Sequence, residues 1–284
     1  MNFINWLRVV VLGILEGITE WLPISSTGHL VLLDALWKGD AAVFTESFTK
    51  IFDVVIQLGA ILAVVTVFFH KLNPVSQYKT DVQKKNTRKL WLKILIAVLP
   101  AVVVGLLLDD WMDEHLYTPW VIASMLILYG ALFIVIEKIV LKDREPAVTR
   151  FAGLTYRMAL IIGLAQCLAV VPGTSRSGVT ILCALLLGCS RYLATEFTFY
   201  LAIPVMLGAS GLKLFKYLFL DKLSLSGAQI GALFLASAVA YVVSLFVIRF
   251  MIRYVKRHDF TAFGIYRIVL GILVLVLFGF VIRG

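Results

Sequence analysis

The stretch Gly13–His29, GILEGITEWLPISSTGH, decides the fold of this chain. Apolar residues flank it, yet it carries two carboxylates, three consecutive hydroxyl side chains, a glycine and a histidine. Each polar group left unpaired in lipid carries a large free-energy cost. The stretch is therefore either a packed, irregular segment that lines a wet cavity, or it lies outside the membrane altogether.

The composition decides between these alternatives. The 284 residues are 61% hydrophobic and 15% charged, and their mean hydropathy is +0.97, whereas soluble domains are about 45–50% apolar and about 25% charged. The alternation typical of membrane β-strands is missing. The pattern predicts an all-α polytopic membrane protein with six transmembrane helices, since six apolar runs suit a hydrocarbon core of about 30 Å. These runs are Ile51–Phe69, Ile94–Leu108, Trp120–Ile136, Phe197–Phe215, Gly227–Phe246 and Ile265–Ile282.

The net charge of +9 first suggests a nucleic-acid partner. The basic residues instead lie in short loops between apolar runs, as the positive-inside rule expects, so we predict membrane lipids and no nucleic acid as partners. All three strongly basic loops fall on one side, which is then cytoplasmic: Lys71–Lys93, Lys138–Arg157 and Arg249–Arg257. One loop has four acids and neither lysine nor arginine, and is predicted to lie outside: Asp109, Asp110, Asp113 and Glu114.

Two polar interruptions are predicted to bend the chain inside the membrane. The first arm, Phe3–Leu22, ends at the break Pro23–His29, because proline disfavours helix at the residue before it. The return arm, Leu30–Trp37, is too short to span. We therefore predict a re-entrant helix–break–helix pair, with one bent span as the alternative. A second break, Pro172–Gly178 within Met158–Leu187, predicts a second pair that enters from the cytoplasmic side.

A shift of 150 residues superposes the two interruptions. The matched pairs are Gly13 with Gly163, Glu16 with Gln166, Ser25 with Ser175, Thr27 with Ser177 and Gly28 with Gly178. Each copy is followed by three predicted spans, and an odd number of spans inverts the second copy. We therefore predict a single membrane domain, residues 1–284, built from an inverted repeat of residues 1–140 and 155–284, whose breaks share a site near the midplane.

The second break carries the residue types that bind phosphate. Gly173 and Gly178 let the backbone turn closely, and the backbone N–H groups at a helix N-terminus favour anions. Arg176 adds a permanently charged planar fork that suits phosphate oxygens, and an arginine inside the membrane is expensive unless it is functional. The neighbouring hydroxyl donors are Ser175, Ser177 and Thr180. The alternative is that Arg176 pairs with a carboxylate while the small residues only allow close helix packing.

The first break supplies a nucleophile and a base. Ser26 and His29 are three residues apart on a turn, so their side chains could reach one another, and a Ser–His pair is suited to nucleophilic catalysis. Ser25 and Thr27 are neighbours on the same break, so spacing alone does not fix the nucleophile. The alternative for His29 is a buried histidine satisfied by a backbone carbonyl.

Two carboxylates precede this break on one face of the first arm. Glu16 and Glu20 are four residues apart, and carboxylates beside a phosphate repel it unless a hard divalent cation lies between them. Mg²⁺ is bound by one or two carboxylates together with substrate phosphates. The alternatives are that one carboxylate is protonated, or that Glu20 simply pairs with Arg176.

These motifs closely resemble the bacterial undecaprenyl-diphosphate phosphatase family of the bacitracin-resistance type. They are Glu16-x-x-x-Glu20 followed by Ser25-Ser26-Thr27-Gly28-His29, and Pro172-Gly-x-Ser-Arg-Ser-x-x-Thr180. The resemblance covers nearly the whole chain and implies an enzyme of the bacterial cytoplasmic (inner) membrane. Such an enzyme removes the terminal phosphate of a C55-isoprenyl diphosphate at a site open to the outer, periplasmic side, and so recycles the lipid carrier for peptidoglycan synthesis.

The resemblance also implies a role for each site residue. Ser26 would be the nucleophile, His29 its acid/base partner and Arg176 the phosphate ligand, although His29 could itself attack. Glu16 and Glu20 would orient the site or hold a divalent cation, Mg²⁺ with Ca²⁺ as the alternative. The phosphate pocket would be completed by Gly173, Ser25, Thr27, Ser175, Ser177 and Thr180. A structural hydrogen-bond or ion-pair role is expected for the other polar residues in apolar runs: Asp53, Gln57, Glu196 and Arg267.

Two other functions compete with this interpretation. Inverted repeats with broken helices are typical of secondary transporters and lipid flippases, which would exchange substrate without releasing phosphate. A type-2 phosphatidic-acid phosphatase is a weaker alternative, because its leading Lys/Arg-Pro motif and its His–Asp pair are missing. The sequence leaves open whether the chain is a monomer or a homodimer, and which prenyl length it prefers.

Overall fold

The computed structural model describes residues 1–37, 40, 43–220 and 224–281, without the side chains of residues 109, 110, 112–114, 218, 280 and 281. The acids predicted for an outer loop (Asp109, Asp110, Asp113 and Glu114) lie instead on the last turns of α5, which ends at His115, so the predicted loop is wrong at these positions. Ile282 lies outside the described residues. The α-helices are α1 Phe3–Thr19, α2 Ser26–Leu36, α3 Glu46–Val67, α4 Phe69–Leu72, α5 Asp81–His115, α6 Pro119–Val135, α7 Tyr156–Gln166, α8 Arg176–Leu186, α9 Arg191–Phe215, α10 Gly227–Tyr254 and α11 Thr261–Val276.

Within the described residues, six helices are long and apolar enough to cross a membrane: α3, α5, α6 with its continuation to Val140, α9, α10 and α11. They correspond one by one to the six predicted spans, so the multi-pass, all-helical membrane fold is confirmed. Helices α2 and α8 have 11 residues each, which makes them about 16 Å long and too short to span.

The basic segment Lys71–Lys93 is not the loop that the sequence suggests. Helix α5 already begins at Asp81, so the basic residues from Lys84 to Lys93 lie on its first turns. Reciprocal hydrogen bonds explain this start: Thr80 N–H donates to Gln83 Oε1 over 3.0 Å and Gln83 N–H donates to Thr80 Oγ1 over 3.3 Å. This is a capping box, which satisfies donors that a helix start leaves unpaired.

Both breaks lie a few residues earlier than predicted. Helix α1 ends at Thr19 and α2 begins at Ser26, so His29 lies in the first turn of α2 and outside the break. Helix α8 begins at Arg176 and not at Gly178. The reason is that serine, threonine and glycine are common both in turns and at helix starts.

Packing brings the two breaks together in the middle of the molecule. Helix α1 packs against α2, α3 and α10, while α7 packs against α5 and α8, and α8 also packs against α9. Trp21 of the first break is fully buried and meets the ring of Phe199 on α9 edge-on, with 5.3 Å between ring centroids. The first break therefore lies against α9, the second helix after the second break.

Candidate active site

An ion pair joins the two breaks. Arg176 Nη2 donates to Glu20 Oε1 over 2.9 Å, and the two side chains are only 12% and 11% exposed. Arg176 Nη1 donates to the carbonyl oxygen of Thr198 over 3.1 Å. The Arg176 Nε is buried and has no partner among the described residues. The pairing that was an alternative at the sequence level is thus present, and the Nε–H is among the guanidinium donors that it leaves for a further acceptor.

The same backbone conformation precedes both return helices. Ser25 and Ser175 have φ of +70°, and both immediately precede a helix start. Positive φ is sterically unfavourable for residues with a Cβ and is concentrated at functional sites. Ser175 Oγ accepts from Gly178 N–H over 3.2 Å, which caps α8. The N-terminus of α8, with Arg176 as its first residue, therefore begins inside the site, where its dipole favours an anion.

Both the backbone conformation at residue 173 and the lack of space beside it require glycine there. Its φ is +89°, and a Cβ at this position would lie 2.5 Å from the carbonyl oxygen of Ile122. The second break therefore lies directly on the backbone of α6, and any side chain at residue 173 would push the break and α6 apart.

Replacing Gly173 by alanine is expected to lower the free energy of unfolding by about 2–4 kcal/mol, because strain at positive φ adds to the clash with Ile122. Gly208→Ala is the matched control, since a Cβ built there meets no described atom within 4 Å apart from its chain neighbours and the backbone of its own helix. The measurement is thermal unfolding in detergent. Equal midpoints for the two variants would contradict this account of the second break.

The hydroxyl groups of the second break serve different contacts. Ser177 Oγ lies 3.5 Å from the carbonyl oxygens of Glu20 and Leu22, so it bridges to the first break. The fully buried Thr180 hydroxyl bonds the Thr198 hydroxyl over 2.9 Å and the carbonyl of Arg176 over 2.9 Å. Thr180 thus holds α8 against α9, and its predicted contact with phosphate stays a prediction.

His29 is held at both ring nitrogens. Nδ1 lies 2.7 Å from the carbonyl oxygen of Ser25, and Nε2 lies 2.7 Å from the hydroxyl of Tyr266 on α11. A carbonyl oxygen can only accept, so in the neutral ring Nδ1 carries the proton and Nε2 accepts from Tyr266. The suggested contact between His29 and Ser26 is therefore not made in the described part of the chain, and Ser26 is half-buried in the first turn of α2.

Buried polar atoms without partners among the described residues are concentrated in the first arm, at the end of α7 and in the two breaks. Glu16 is fully buried, and neither of its carboxylate oxygens has a hydrogen-bond partner among the described residues. The Oγ1 of Thr174 and the side-chain amide of Gln166 are also buried and have no hydrogen-bond partner among the described residues. Buried polar groups in folded proteins are almost always paired. Such a concentration therefore indicates a place where water, an ion or a polar ligand supplies the missing partners.

Arg267 fixes the backbone of both breaks. It is fully buried on α11 and donates to the carbonyls of Pro23 over 3.2 Å, Gly173 over 2.8 Å and Thr174 over 3.0 Å. The structural role expected for Arg267 is therefore observed. The sequence analysis missed Tyr266 and Thr198 as neighbours of the site. A tyrosine next to an arginine inside an apolar run was a usable signal for Tyr266, whereas Thr198 contributes a backbone carbonyl that no side-chain pattern reveals.

The chain was compared with known proteins. The family "Bacitracin resistance protein BacA" matches residues 9–273. A protein of Lactiplantibacillus plantarum is 54% identical over 271 residues, covering 94% of this chain and 96% of the relative. Proteins of Enterococcus faecalis and Leuconostoc citreum are 52% and 51% identical, covering 98% and 96% of both chains. All three relatives carry the name undecaprenyl-diphosphatase. The chain therefore belongs to the bacitracin resistance protein BacA family.

Proposed function

We propose that this protein is a membrane phosphatase that hydrolyses undecaprenyl diphosphate to undecaprenyl phosphate and inorganic phosphate. The observation that carries the proposal is the buried Glu20–Arg176 pair between the two breaks, together with buried polar atoms of the first arm and of both breaks that have no partner among the described residues. The names of relatives that match nearly the full chain support the substrate.

The physical demands of the substrate support the same conclusion. A polyprenyl diphosphate has a tail that must stay in lipid and a charged headgroup that must reach hydrogen-bond donors. A site among membrane-spanning helices, with an arginine and the N-terminus of α8, suits such a headgroup. We propose the cytoplasmic membrane of a bacterium as the location, with the site open to the outer side. Its product would then serve again as the lipid carrier for peptidoglycan, which fits a link to bacitracin resistance.

In the proposed reaction, Ser26 Oγ attacks the terminal phosphorus in line with the bridging oxygen. The bond from phosphorus to that oxygen breaks, undecaprenyl phosphate leaves, and water then hydrolyses the phosphoserine to serine and inorganic phosphate. His29 takes the serine proton through Nε2, so its hydrogen bond with Tyr266 must open first. Arg176 stabilises the charge that develops on the phosphoryl oxygens. Attack by His29 Nε2 itself is the alternative, because this nitrogen holds the lone pair.

Replacing Tyr266 by phenylalanine is expected to lower kcat by roughly tenfold, since the His29 ring loses the hydrogen bond that orients it in the resting site, before Nε2 turns to Ser26. The ring contact of residue 266 with His29, at 5.6 Å between centroids, remains in the variant. The matched control is Tyr241→Phe, which loses a hydroxyl contact with Thr66 on α3, away from the site. Equal losses in both variants would remove Tyr266 from the proposed site.

A divalent cation fits the first arm. Glu16 presents a buried carboxylate without partners, and Glu20 lies one turn further along the same face. No group of three or more His, Cys, Asp or Glu side chains that could hold a metal occurs in the described residues. Two carboxylates completed by substrate oxygens are nevertheless a typical Mg²⁺ arrangement. Such an ion, Mg²⁺ or alternatively Ca²⁺, would offset the repulsion between these carboxylates and the diphosphate.

Removal of divalent cations is therefore expected to abolish phosphate release. Activity in EDTA should fall about a hundredfold or more, and an excess of Mg²⁺ should restore it. Glu16→Gln should raise the Mg²⁺ concentration needed for half-maximal activity. Full activity in EDTA would contradict the proposed cation site and would show that Glu16 does not act as a cation ligand.

We also propose that the two halves form the inverted, re-entrant repeat. Residues paired by the 150-residue shift occupy equivalent places in the two halves. Helix α2 begins after Ser25 and helix α8 begins after Ser175, and both serines have φ of +70°. Gly13 lets α1 approach α10 at the carbonyl of Ala236, and Gly163 lets α7 approach α5 at the carbonyl of Ala97. Each first arm thus packs on the middle span of the opposite half, as a twofold arrangement requires.

The function is tested with purified protein and undecaprenyl diphosphate in detergent and in vesicles. The proposal predicts inorganic phosphate and undecaprenyl phosphate in equal amounts. A secondary transporter or flippase would instead move labelled lipid across the vesicle membrane without releasing phosphate. Transport of intact lipid by a folded protein that releases no phosphate would overturn the proposal.

A further inference from the structure

A cavity lies on the basic face of the molecule, the face formed by the segments predicted to be cytoplasmic. Its volume is about 660 Å³, which falls in the size class of small-molecule sites. Its walls come from α4, residues 73–80, the beginning of α5, residues 149–151 and the beginning of α9. None of its lining residues belongs to the candidate active site, so an occupant would bind separately from the substrate phosphate.

Positive charge in this cavity exceeds negative charge. Lys71 and Glu196 line it and neutralise one another, with Lys71 Nζ 2.6 Å from Glu196 Oε1. Lys79 and Arg150 also line the cavity, and neither forms a salt bridge with another described residue. Two cations therefore remain without a counter-ion inside one concave surface.

The position of Lys79 is fixed by neutral groups. Its ammonium donates to the carbonyls of Lys71 and Asn73, both over 2.9 Å, and to the Thr87 hydroxyl over 2.8 Å. Partial burial lowers the pKa of Lys79, since no carboxylate offsets the loss of hydration. A bound anion would supply that compensation through charge attraction, while the three N–H donors of Lys79 keep their present acceptors.

The charge and shape of the cavity indicate the ligand class. Two uncompensated cations match the charge of about −1.5 to −2 that a phosphate monoester carries near neutral pH. Arg150 offers the planar donor pattern that suits phosphate oxygens. Tyr78, Tyr192 and Phe151 supply aromatic walls for an organic group next to the phosphate.

The positive-inside rule alone does not explain this arrangement. It accounts for basic residues on this face in general, and Lys142 and Arg144 are exposed residues of that kind that do not line the cavity. Lys79 and Arg150 differ because they converge on one cavity from segments that are far apart in the chain. Lys142 and Arg144 are therefore natural controls for them.

We propose that this cavity is a second binding site, specific for a small phosphate-bearing anion held by Lys79 and Arg150. The phosphate group could come from a soluble organic phosphate or from a phospholipid headgroup at the membrane surface, since the chemistry of recognition is the same. The proposal does not depend on hydrolysis at the two breaks.

The test is calorimetric titration of the full-length protein in phosphatidylcholine nanodiscs with glycerol 3-phosphate. Arg150→Gln and Lys79→Gln are expected to weaken one component of binding by about tenfold or more. The controls Arg144→Gln and Lys142→Gln should stay within about twofold of the wild type. Binding at the candidate active site is common to all these proteins and cancels in the comparison. Arg150 is exposed, so its variant tests the site even if Lys79→Gln disturbs folding.

A second arm repeats the titration in nanodiscs that also contain phosphatidylglycerol. Weaker apparent binding of glycerol 3-phosphate there would support the site with a lipid headgroup as its occupant. Unchanged binding would support the site with a soluble phosphate as its occupant. Equal affinities for the Arg150→Gln and Arg144→Gln proteins, or no saturable binding by the wild type in phosphatidylcholine, would overturn the proposal.

Discussion

Replacing Arg176 by alanine is expected to lower kcat/KM for undecaprenyl diphosphate by about 10³-fold. Arg176 and Arg267 both contact the breaks. Arg267 donates to backbone carbonyls and holds the chain, whereas Arg176 pairs with the Glu20 side chain and retains a buried Nε without a partner among the described residues. Removing a preorganised donor from a charged transition state costs about 10²–10³ in rate, and removing an arginine that stabilises phosphoryl transfer costs about 10³–10⁵. The measurement is phosphate release per folded protein.

The same substitution leaves Glu20 buried and unpaired, so about 3 kcal/mol of stability should be lost as well. The control Arg191→Ala separates the loss of catalysis from the loss of folding stability. Arg191 Nε donates to Oε1 of the buried Glu137 over 2.9 Å, in an ion pair of similar kind away from the site. This control should lose stability and retain the activity of its folded fraction. Equal losses of specific activity would show that Arg176 acts only through folding.

Replacing Ser26 by alanine is expected to reduce phosphate release by about 10³-fold or more, because the proposed nucleophile is lost while the rest of the site remains. Ser237→Ala is a control with an equal change in side chain, since Ser237 Oγ contacts the carbonyl of Val55 outside the site. Activity close to that of the wild type in the Ser26 variant would exclude Ser26 as the nucleophile.

The intermediate distinguishes Ser26 from His29. A rapid acid quench with substrate labelled at the terminal phosphate should trap labelled protein, and phosphoserine survives acid whereas phosphohistidine does not. Acid-stable label that disappears in the Ser26 variant is the expected result. Label that survives only in alkali, and disappears with His29→Gln, would transfer the nucleophilic role to His29.

The sequence predicted the six spans, and it singled out Glu20 and Arg176, because both features depend on the contrast between apolar runs and the polar residues within them. Six long apolar runs have no stable alternative to spanning helices, and a carboxylate or an arginine within such runs must find a partner. Glu20 and Arg176 were therefore recognisable, and even their mutual pairing could be foreseen as an alternative.

The remaining features depend on contacts between distant segments. His29 meets Tyr266, which lies 237 residues further along the chain, and Arg267 meets carbonyl groups of both breaks, which carry no side-chain signal. The helix starts at Ser26 and Arg176 were missed because hydroxyl residues suit turns and caps equally well. The suggested Ser26–His29 contact followed from spacing alone, whereas the backbone at Ser25 and the position of Tyr266 direct the ring elsewhere.

The most direct test of the central claim is hydrolysis of undecaprenyl diphosphate in water enriched with ¹⁸O, followed by mass spectrometry of both products. Attack at the terminal phosphorus, followed by hydrolysis of the phosphoenzyme, predicts ¹⁸O in the inorganic phosphate and none in undecaprenyl phosphate. Label in the lipid product would place the attack on the inner phosphorus. That result, or intact substrate after incubation with folded protein, would contradict the account of the two breaks as a terminal-phosphate hydrolase.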